Sequence, residues 1–235
     1  MVVLGLGMYT MTEASRLIHA DARSVSRWLC GYDYASGKGP KQIRKRSDPL
    51  WSPQYTMNEF GEKIIGFHDL LELRIVREFV RRGVSLQVIR HCLSTARQIF
   101  EAEYPFTSRR FATDGETIFL DAVRQGGTES EMLNLRTRQY AFREIIKDSL
   151  YAGIEYTGDF ASRWYPVARS KIVVVDPTID FGHPIVEQSG ISTASLYATY
   201  LAEEKNKSVV AQIFEIPTKH VVAAVRFEEK LRLAA

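Results

Sequence analysis

Residues 9–29 read YTMTEASRLIHADARSVSRWL, and this segment predicts two short helices separated by a turn. Thr10 and Glu13 stand three positions apart, the spacing of a capping box, in which each side chain binds a free backbone N–H at the start of a helix. The apolar positions of this first helix follow at i, i+3 and i+4, namely Ala14, Leu17 and Ile18. We therefore expect a helix that starts at Thr10 and buries one face.

The second helix of this segment carries an exposed basic face. Asp21 can cap this helix, and its buried positions repeat the same spacing at Val25, Trp28 and Leu29. The positions that point outward are Arg23, Ser24, Ser26 and Arg27. Arg23 and Arg27 are one turn apart, so both guanidinium groups project from one side of the helix. Such a face can contact phosphates and base edges in a DNA major groove, which predicts a helix-turn-helix that binds DNA.

The composition is that of an ordinary globular chain of 235 residues, with 45% hydrophobic and 25% charged residues. No apolar run reaches the roughly 18 residues of a membrane-spanning helix, and residues 1–8 lack the basic start of a signal peptide. The two cysteines, Cys30 and Cys92, are too few for a disulfide framework. We therefore expect a cytoplasmic protein that does not interact with a membrane.

Positive charge is concentrated in the N-terminal half of the chain. Residues 1–110 contain 17 Lys and Arg against 11 Asp and Glu, whereas residues 111–235 contain 14 against 17. Shortly after the second helix comes a basic run with no acidic member, formed by Lys38, Lys41, Arg44, Lys45 and Arg46. One interpretation of this run is a solvated, mobile loop. Its position favours a second interpretation, a wing or arm that contacts the phosphate backbone of DNA.

The remainder of residues 31–105 predicts a loop, a short wing and two helices. Gly31–Pro40 reads as a loop because it holds three glycines and a proline. The candidates for paired wing strands are Trp51–Tyr55 and Lys63–Phe67. Two helices are expected next, one running from Asp69 to Gly83 and one starting at Ser85.

After residue 105 the pattern changes to short strands and then returns to helices. Arg110–Thr113 and Thr117–Leu120 flank Asp114-Gly115, which is the pattern of a β-hairpin. A helix is expected over Tyr140–Leu150, and short strands around Ile154–Tyr156, Arg163–Tyr165 and Ile172–Val175. The last segments read as helices over Thr193–Glu203, Ser208–Phe214 and Thr218–Leu231, of which the last two form a second helix-turn-helix candidate.

Catalytic signals are weak, and we expect neither an enzyme nor a bound cofactor or metal. The five histidines are scattered along the chain without ligand spacing. Asp176 and Asp180 follow an apolar segment, and carboxylates at a strand end can hold a metal for nuclease chemistry. Pro177 favours a simple turn at this point. A metal-dependent nuclease that uses these two carboxylates stays open as one alternative.

Residues 9–100 resemble the winged helix-turn-helix of MerR-type regulators. The strings that carry this resemblance are Tyr9-Thr10-x-x-Glu13-Ala14, Val25-Ser26-Arg27-Trp28, Phe67-x-Asp69-Leu70-x-x-Leu73-x-x-Val76 and Arg82-Gly83-Val84-Ser85-Leu86-x-x-Ile89-Arg90. The resemblance implies a DNA-binding homodimer. Its two-fold symmetry would match a palindromic operator with half-sites about one helical turn, or a multiple of it, apart.

The C-terminal part is similar to a small helical domain of VapB-like antitoxins. The matching strings are Val175-Asp176-Pro177-Thr178-Ile179, Phe181-Gly182-His183-Pro184-Ile185 and Val221-x-x-Ala224-Val225-x-Phe227-Glu228. Together the two resemblances identify a VapB-type antitoxin with a MerR-like N-terminal domain. They imply a cognate VapC-like toxin, which is a PIN-domain ribonuclease that this chain neutralises, and binding to operator DNA that represses the shared operon.

The predicted fold class is α+β and mostly helical. We expect a winged helix-turn-helix domain over 1–105, a β-rich connecting segment over 106–170 and a helical antitoxin domain over 171–235. A PIN active site is acidic, so basic side chains near the C-terminus are candidates for toxin binding, namely Arg226, Lys230 and Arg232. A second alternative stays open, a MerR-like one-component regulator in which residues 106–235 sense a small ligand. Its pocket would be lined by Trp164, Tyr165 and Tyr156.

Overall fold

A computed structural model describes residues 7–37, 43–55, 61–127 and 151–233, and within these ranges the fold is α+β. The helices described are α1 (Met11–Leu17), α2 (Ala22–Cys30), α3 (Phe67–Arg81), α4 (Leu86–Phe100), α5 (Arg109–Gly126), α6 (Thr193–Ala202), α7 (Lys207–Ile213) and α8 (Thr218–Leu233). The strands form antiparallel pairs: β1 (Met8–Thr10) with β4 (Ile64–Gly66), β2 (Tyr32–Ser36) with β3 (Ile43–Ser47), β5 (Ile154–Thr157) with β6 (Phe160–Trp164), and β7 (Val173–Val174) with β8 (Ile185–Val186). Among the described helices, none is both long and apolar enough to cross a membrane.

The first two helices form as the sequence predicts, because their caps are local. The Thr10 Oγ1 atom accepts a 3.2 Å hydrogen bond from the Glu13 backbone N–H, and the Glu13 carboxylate accepts one of 2.9 Å from the Thr10 N–H. At the start of α2 the Asp21 carboxylate accepts hydrogen bonds from the backbone N–H groups of Arg23 and Ser24. The predicted apolar positions of both helices are buried: Ala14, Leu17, Ile18, Val25, Trp28 and Leu29.

The predicted pairing of the wing strands is wrong. A hairpin of β2 and β3 follows α2 at once, where the sequence predicts a loop. β4, inside the predicted strand Lys63–Phe67, pairs with β1 instead, and Trp51–Tyr55 adopts no regular strand. The reason lies in Trp51, whose side chain is buried and donates a 2.7 Å hydrogen bond from Nε1 to the Asp69 carboxylate. This contact holds residues 51–55 against the start of α3.

Gly31 allows the hairpin to begin immediately after α2. Its φ of 69° lies in the left-handed region that side chains other than glycine's rarely adopt. A Cβ atom at this position would stand 2.4 Å from the backbone carbonyl oxygen of Ser47, at the end of β3. The chain can therefore reverse here, and the two strands can meet, only because this residue has no side chain.

The predicted hairpin around Asp114-Gly115 is also wrong, because these residues lie inside α5. The Ser108 hydroxyl caps this helix by accepting a 3.2 Å hydrogen bond from the Phe111 N–H. The helix then buries Phe111 and Phe119 in the core, where the Phe119 ring stacks on Phe79 with 5.3 Å between ring centroids. The apolar burial along one helical face outweighs the local turn preference of Asp-Gly.

The C-terminal helices lie close to their predicted bounds, and the strands around residues 154–175 are present as short antiparallel pairs. The predicted helix Tyr140–Leu150 falls outside the described residues. Among the described residues, two large apolar clusters stand out. The larger joins residues of α1 to α5 with β5, β6 and Phe227 of α8, and the smaller packs α6, α7 and α8 together.

Candidate nucleic-acid interface

The four predicted DNA-contacting residues of α2 lie together on the surface. The side chains of Arg23 and Arg27 are exposed, whereas Ser24 and Ser26 are half-buried. The Ser24 hydroxyl and backbone N–H hydrogen-bond to the Asp21 carboxylate, and mainly for this reason the pKa of Asp21 lies below its usual value. Ser24 is thus engaged in capping the helix. The two arginines are the side chains that project furthest into solvent.

Arg27 connects α2 to the hairpin. Its guanidinium carbon lies 4.1 Å from the centroid of the Tyr32 ring, a cation–π contact. The Tyr32 ring is in turn 5.9 Å from that of Tyr34 on the same strand. The exposed face of α2 therefore continues onto one face of the hairpin without a break.

The hairpin distributes its basic residues over two faces. Neighbouring side chains on a strand point to opposite sides, and directly opposed residues share a side. Tyr34 stands opposite Lys45, and this pair shares its face with Tyr32 and therefore lies on the side of Arg27. Arg46 stands opposite Asp33, and Arg44 lies on this second face. Lys45 is thus separated from Arg44 and Arg46, although the three are consecutive in the sequence.

Asp33 partly neutralises the second face. Its carboxylate lies 3.6 Å from the Arg44 guanidinium and 3.8 Å from that of Arg46. These side chains are exposed, so each ion pair contributes at most about 1 kcal/mol to stability. Their main effect is on the surface potential, because one acidic charge sits between two basic ones. The face that carries Lys45 has no such acid among the described strand residues.

Lys63 belongs to this surface, although no pattern in the sequence predicts it there. Its Nζ atom lies 3.4 Å from the Ser26 hydroxyl oxygen, on the outer side of α2. It is placed there by the pairing of β4 with β1, which no local pattern reveals. Its proximity to α2 adds a cation to the face formed by Arg23 and Arg27. Two further predicted contacts, Lys38 and Lys41, lie outside the described residues.

The predicted toxin-binding residues all lie on α8 and are exposed, but they do not form one group. Arg226 and Lys230 are one turn apart and line the same surface groove together with Lys219. Arg232 lies on another side of the helix, with its guanidinium carbon 4.4 Å from the Tyr197 ring centroid. The structure therefore separates one predicted residue from the other two.

The two carboxylates of the nuclease alternative do not form a metal site. Asp176 is buried, and its oxygens bind the Arg163 guanidinium at 2.7 Å and the Thr178 backbone N–H at 2.9 Å. Asp180 is exposed in the next turn. Within the described ranges no three His, Cys, Asp or Glu side chains are grouped so that they could hold a metal ion. Asp176 has a structural role here, closing a turn and binding Arg163.

The three aromatic residues of the ligand-sensing alternative are also separated. Trp164 lines a cavity of about 250 Å³ and lies under the guanidinium group of Arg74. Tyr165 packs with Val174 and Ile185, and its hydroxyl donates a 2.6 Å hydrogen bond to Glu187. Tyr156 lies against Arg109. Of the three, Trp164 lines this cavity, whereas the other two do not contribute to it.

No protein-family model matches the chain. A protein of Mycobacterium tuberculosis (strain ATCC 25618 / H37Rv), named "Putative antitoxin VapB45", is 26% identical over 200 residues, which span 80% of this chain and 80% of that protein. The X-ray crystal structure of Rv2018 from Mycobacterium tuberculosis aligns with a TM-score of 0.66 and 21% identity, covering 94% of this chain and 98% of the other. The chain is thus a distant relative of the first protein and has the fold of the second.

Proposed function

We propose that this chain is a VapB-type antitoxin, which neutralises a VapC-like PIN-domain ribonuclease and represses the shared operon by binding operator DNA. The observation that carries the DNA-binding half is the continuous basic surface of α2 and the hairpin, where Arg23, Arg27 and Lys45 are exposed. The antitoxin half is supported by the 26% identity with the protein named as an antitoxin. The proposed role is regulatory rather than catalytic.

In this proposal α2 is the recognition helix. It holds nine residues, so it is about 13 Å long at 1.5 Å per residue and fits a major groove about 12 Å wide. Arg23 and Arg27 would contact guanine edges, for which the guanidinium fork has the right geometry, and the two serines would contact nearby bases or phosphates. Lys63, next to Ser26, would bind phosphate at the groove edge.

The hairpin would contact the DNA backbone as a wing. The face with Tyr34 and Lys45 is the better candidate for this contact, because it adjoins Arg27 and lacks the acidic Asp33. Arg44 and Arg46 would contribute less, since Asp33 already pairs with both. Lys38 and Lys41 stay proposed phosphate contacts on the basis of their charge and position in the sequence.

The order of elements favours a MerR-like DNA-binding domain. Two short helices, a hairpin and the helix pair α3 and α4 follow one another, as the resemblance of residues 9–100 implies. Such domains bind as two-fold dimers, so we expect a homodimer on a palindromic operator, with half-sites about one helical turn, or a multiple of it, apart. Cross-linking of the full chain on and off DNA would measure this state.

Toxin neutralisation is proposed to use the basic residues of α8. A PIN-domain active site presents clustered carboxylates, and a cationic side chain placed among them would pair with the carboxylates or displace their metal. Arg226 and Lys230 act together in this proposal, because they share one groove with Lys219. Arg232 is the weaker candidate, since its guanidinium group already rests on Tyr197.

Co-expression with the product of the adjacent gene tests the proposal. We expect that the adjacent gene alone arrests growth, that this chain restores growth, and that the two proteins purify as one complex. The purified complex should also retard a DNA fragment from the operon's own promoter and not a fragment of equal length from within the gene. If this chain binds the promoter but neither rescues growth nor co-purifies, the one-component regulator is the better assignment.

A further inference from the structure

A cavity of about 250 Å³ lies between the N-terminal helices and the last helix of the chain. Its walls come from the end of α1, from the middle of α3, from Trp164 of β6 and from α8. Pockets for drug-sized molecules generally measure about 300–1,000 Å³, so this one accepts only a small ligand. Among its described lining residues, the proposed antitoxin function uses Lys230, which also lines the groove of Arg226, and none of the others.

The cavity carries a surplus of positive charge. Arg74 and Arg77 of α3 and Lys230 of α8 line it, whereas Glu78 is the single acidic residue among its described lining. The Glu78 carboxylate already has two cationic neighbours. It pairs with the Arg77 guanidinium, and the Arg81 guanidinium lies 3.6 Å from it. The one carboxylate therefore does not balance the cations around it.

Arg74 brings one of these charges into the interior. Its guanidinium carbon lies 4.9 Å from the Trp164 ring centroid, and burial lowers the pKa of Arg74 to about 10, so the group stays cationic at neutral pH. His19, just after α1, lies near the other two cations, Arg77 and Lys230. Burial, and then the charges of Arg77 and Lys230, hold the pKa of His19 below its usual value. His19 therefore stays largely neutral at pH 7 and can still donate or accept a hydrogen bond.

We propose that this cavity is a binding site for a small organic oxyanion, a carboxylate or a phosphate attached to an apolar group. The anionic oxygens would bind Arg77 and Lys230. The apolar group would pack on the hydrophobic part of the wall, which includes Leu17 and Phe227. Because the walls come from both α1 and α8, the ligand would join the DNA-binding helices to the helix proposed to contact the toxin.

Titration of the full chain with benzoate, phenyl phosphate, inorganic phosphate and benzyl alcohol tests this proposal. Calorimetry and tryptophan fluorescence provide the readouts, and neither depends on DNA or toxin binding. We expect saturable binding of benzoate or phenyl phosphate with one site per chain, and at least tenfold weaker binding of benzyl alcohol, which lacks the charge. The better of the two aromatic anions then identifies the oxyanion as carboxylate or phosphate. Equal binding of benzyl alcohol, or no saturable binding of either aromatic anion, would overturn the proposal.

Two variants locate the site. Lys230→Gln removes an exposed cation at the cavity and is expected to weaken anion binding about tenfold. Lys205→Gln makes the same charge change on an exposed turn after α6 and is expected to leave binding unchanged. Unfolding midpoints of all variants control for folding. An equal loss in Lys205→Gln, or no loss in Lys230→Gln, would contradict the assignment.

Discussion

The Tyr9 hydroxyl donates a 2.8 Å hydrogen bond to the backbone carbonyl of Gly182, which lies 173 positions further along the chain. Gly182 belongs to the turn that carries the antitoxin-like string, and its φ of 82° lies in the left-handed region. Beside it, His183 Nε2 lies 3.5 Å from the Glu13 carboxylate of α1. The start of the segment proposed to bind DNA and the C-terminal part are therefore joined through two side chains, Tyr9 of β1 and Glu13 of α1.

A double-mutant cycle measures how much this junction contributes to stability. Tyr9→Phe leaves the buried Gly182 carbonyl without its donor and is expected to lower the unfolding free energy by about 1–3 kcal/mol. Gly182→Ala should lower the unfolding free energy by about 1–3 kcal/mol, because alanine is strained in the left-handed backbone conformation. The loss should be larger still, because a Cβ atom would stand 2.3 Å from the Tyr9 hydroxyl oxygen.

The cycle also predicts that these two changes are not additive. Without the Tyr9 hydroxyl, the added methyl group loses its closest clash, so the double variant should be less destabilised than the sum of the single variants, by about 0.5–3 kcal/mol. Urea unfolding of the four proteins gives the coupling energy. Additive effects would show that the two residues do not interact as described.

Glu72 makes the stability depend on pH. This residue of α3 is buried, with Oε1 accepting hydrogen bonds from the Thr107 backbone N–H at 2.9 Å and from its hydroxyl at 3.1 Å. Burial raises the pKa of Glu72 from 4.5 to about 8. The folded chain therefore keeps this proton up to about pH 8, whereas the unfolded chain releases it above about pH 4.5. The stability that this protonated carboxyl group contributes is fully present below about pH 4.5. It is lost as the pH rises to about 8.

The variant Glu72→Gln isolates this effect. The glutamine keeps an acceptor oxygen for Thr107 and does not titrate. The unfolding free energy of wild type should therefore fall relative to that of the variant between pH 5 and pH 8. This relative decrease is at most about 1.4 kcal/mol for each pH unit. Glu229→Gln, an exposed change on α8, serves as the matched control. Parallel stability curves for wild type and Glu72→Gln would contradict a raised pKa.

Features fixed by neighbouring residues could be predicted from the sequence. The capping box of Thr10 and Glu13 and the Asp21 cap of α2 depend on groups within three positions, and both are confirmed. The Asp114-Gly115 turn signal is equally local but is wrong. Phe111 and Phe119, on either side of it, gain more by packing in the core as part of one helix than a hairpin would provide.

Features fixed by contacts between distant residues could not be predicted. β1 pairs with β4 across more than fifty residues, and that pairing brings Lys63 to Ser26. The division of the basic run into two faces likewise depends on the register of β2 against β3. Strand register is set by pairing and side-chain packing, which a single run of charges does not encode.

The two faces of the hairpin predict different effects on DNA binding. Lys45→Gln should weaken binding to operator and unrelated DNA alike, and lower the slope of log affinity against log salt by about one unit, because one phosphate contact is lost. Arg44→Gln removes the same charge one residue away but on the face paired with Asp33, so its effect on the slope should be smaller. Fluorescence anisotropy between about 50 and 200 mM salt measures both slopes. Equal slopes for the two variants would exclude a wing that contacts DNA through its Tyr34 face.

The proposed role of α2 as a recognition helix leads to a separate prediction about sequence preference. Arg23→Gln should reduce discrimination between operator and unrelated DNA by about 1–3 kcal/mol, since a bidentate arginine contact to guanine has this value. The Asp21 cap of α2 stays intact in this variant, because Arg23 contributes only its backbone N–H to the cap. A competition assay with both DNAs measures the ratio. A uniform loss on both DNAs would instead assign Arg23 to a phosphate.

Toxin binding is best tested by point substitutions on α8. Deleting residues 226–235 would also remove Phe227 from the main core and the buried hydrogen bond between Glu228 and the Thr193 hydroxyl, so it would confound binding with folding. We expect Arg226→Glu combined with Lys230→Glu to weaken toxin binding tenfold or more, because close charge pairs across interfaces couple by about 1.5 kcal/mol or more.

Arg232→Glu is the matched control for this prediction. It makes the same kind of charge reversal on the same helix, but about 200° around the axis from Lys230 at about 100° per residue, where the arginine rests on Tyr197. Growth rescue and co-purification with the toxin should therefore fail in the double variant and persist in Arg232→Glu, with unfolding midpoints showing that both are folded. If Arg232→Glu alone abolished rescue, the toxin would bind the Tyr197 side of α8, and the Arg226 groove would not be the binding site.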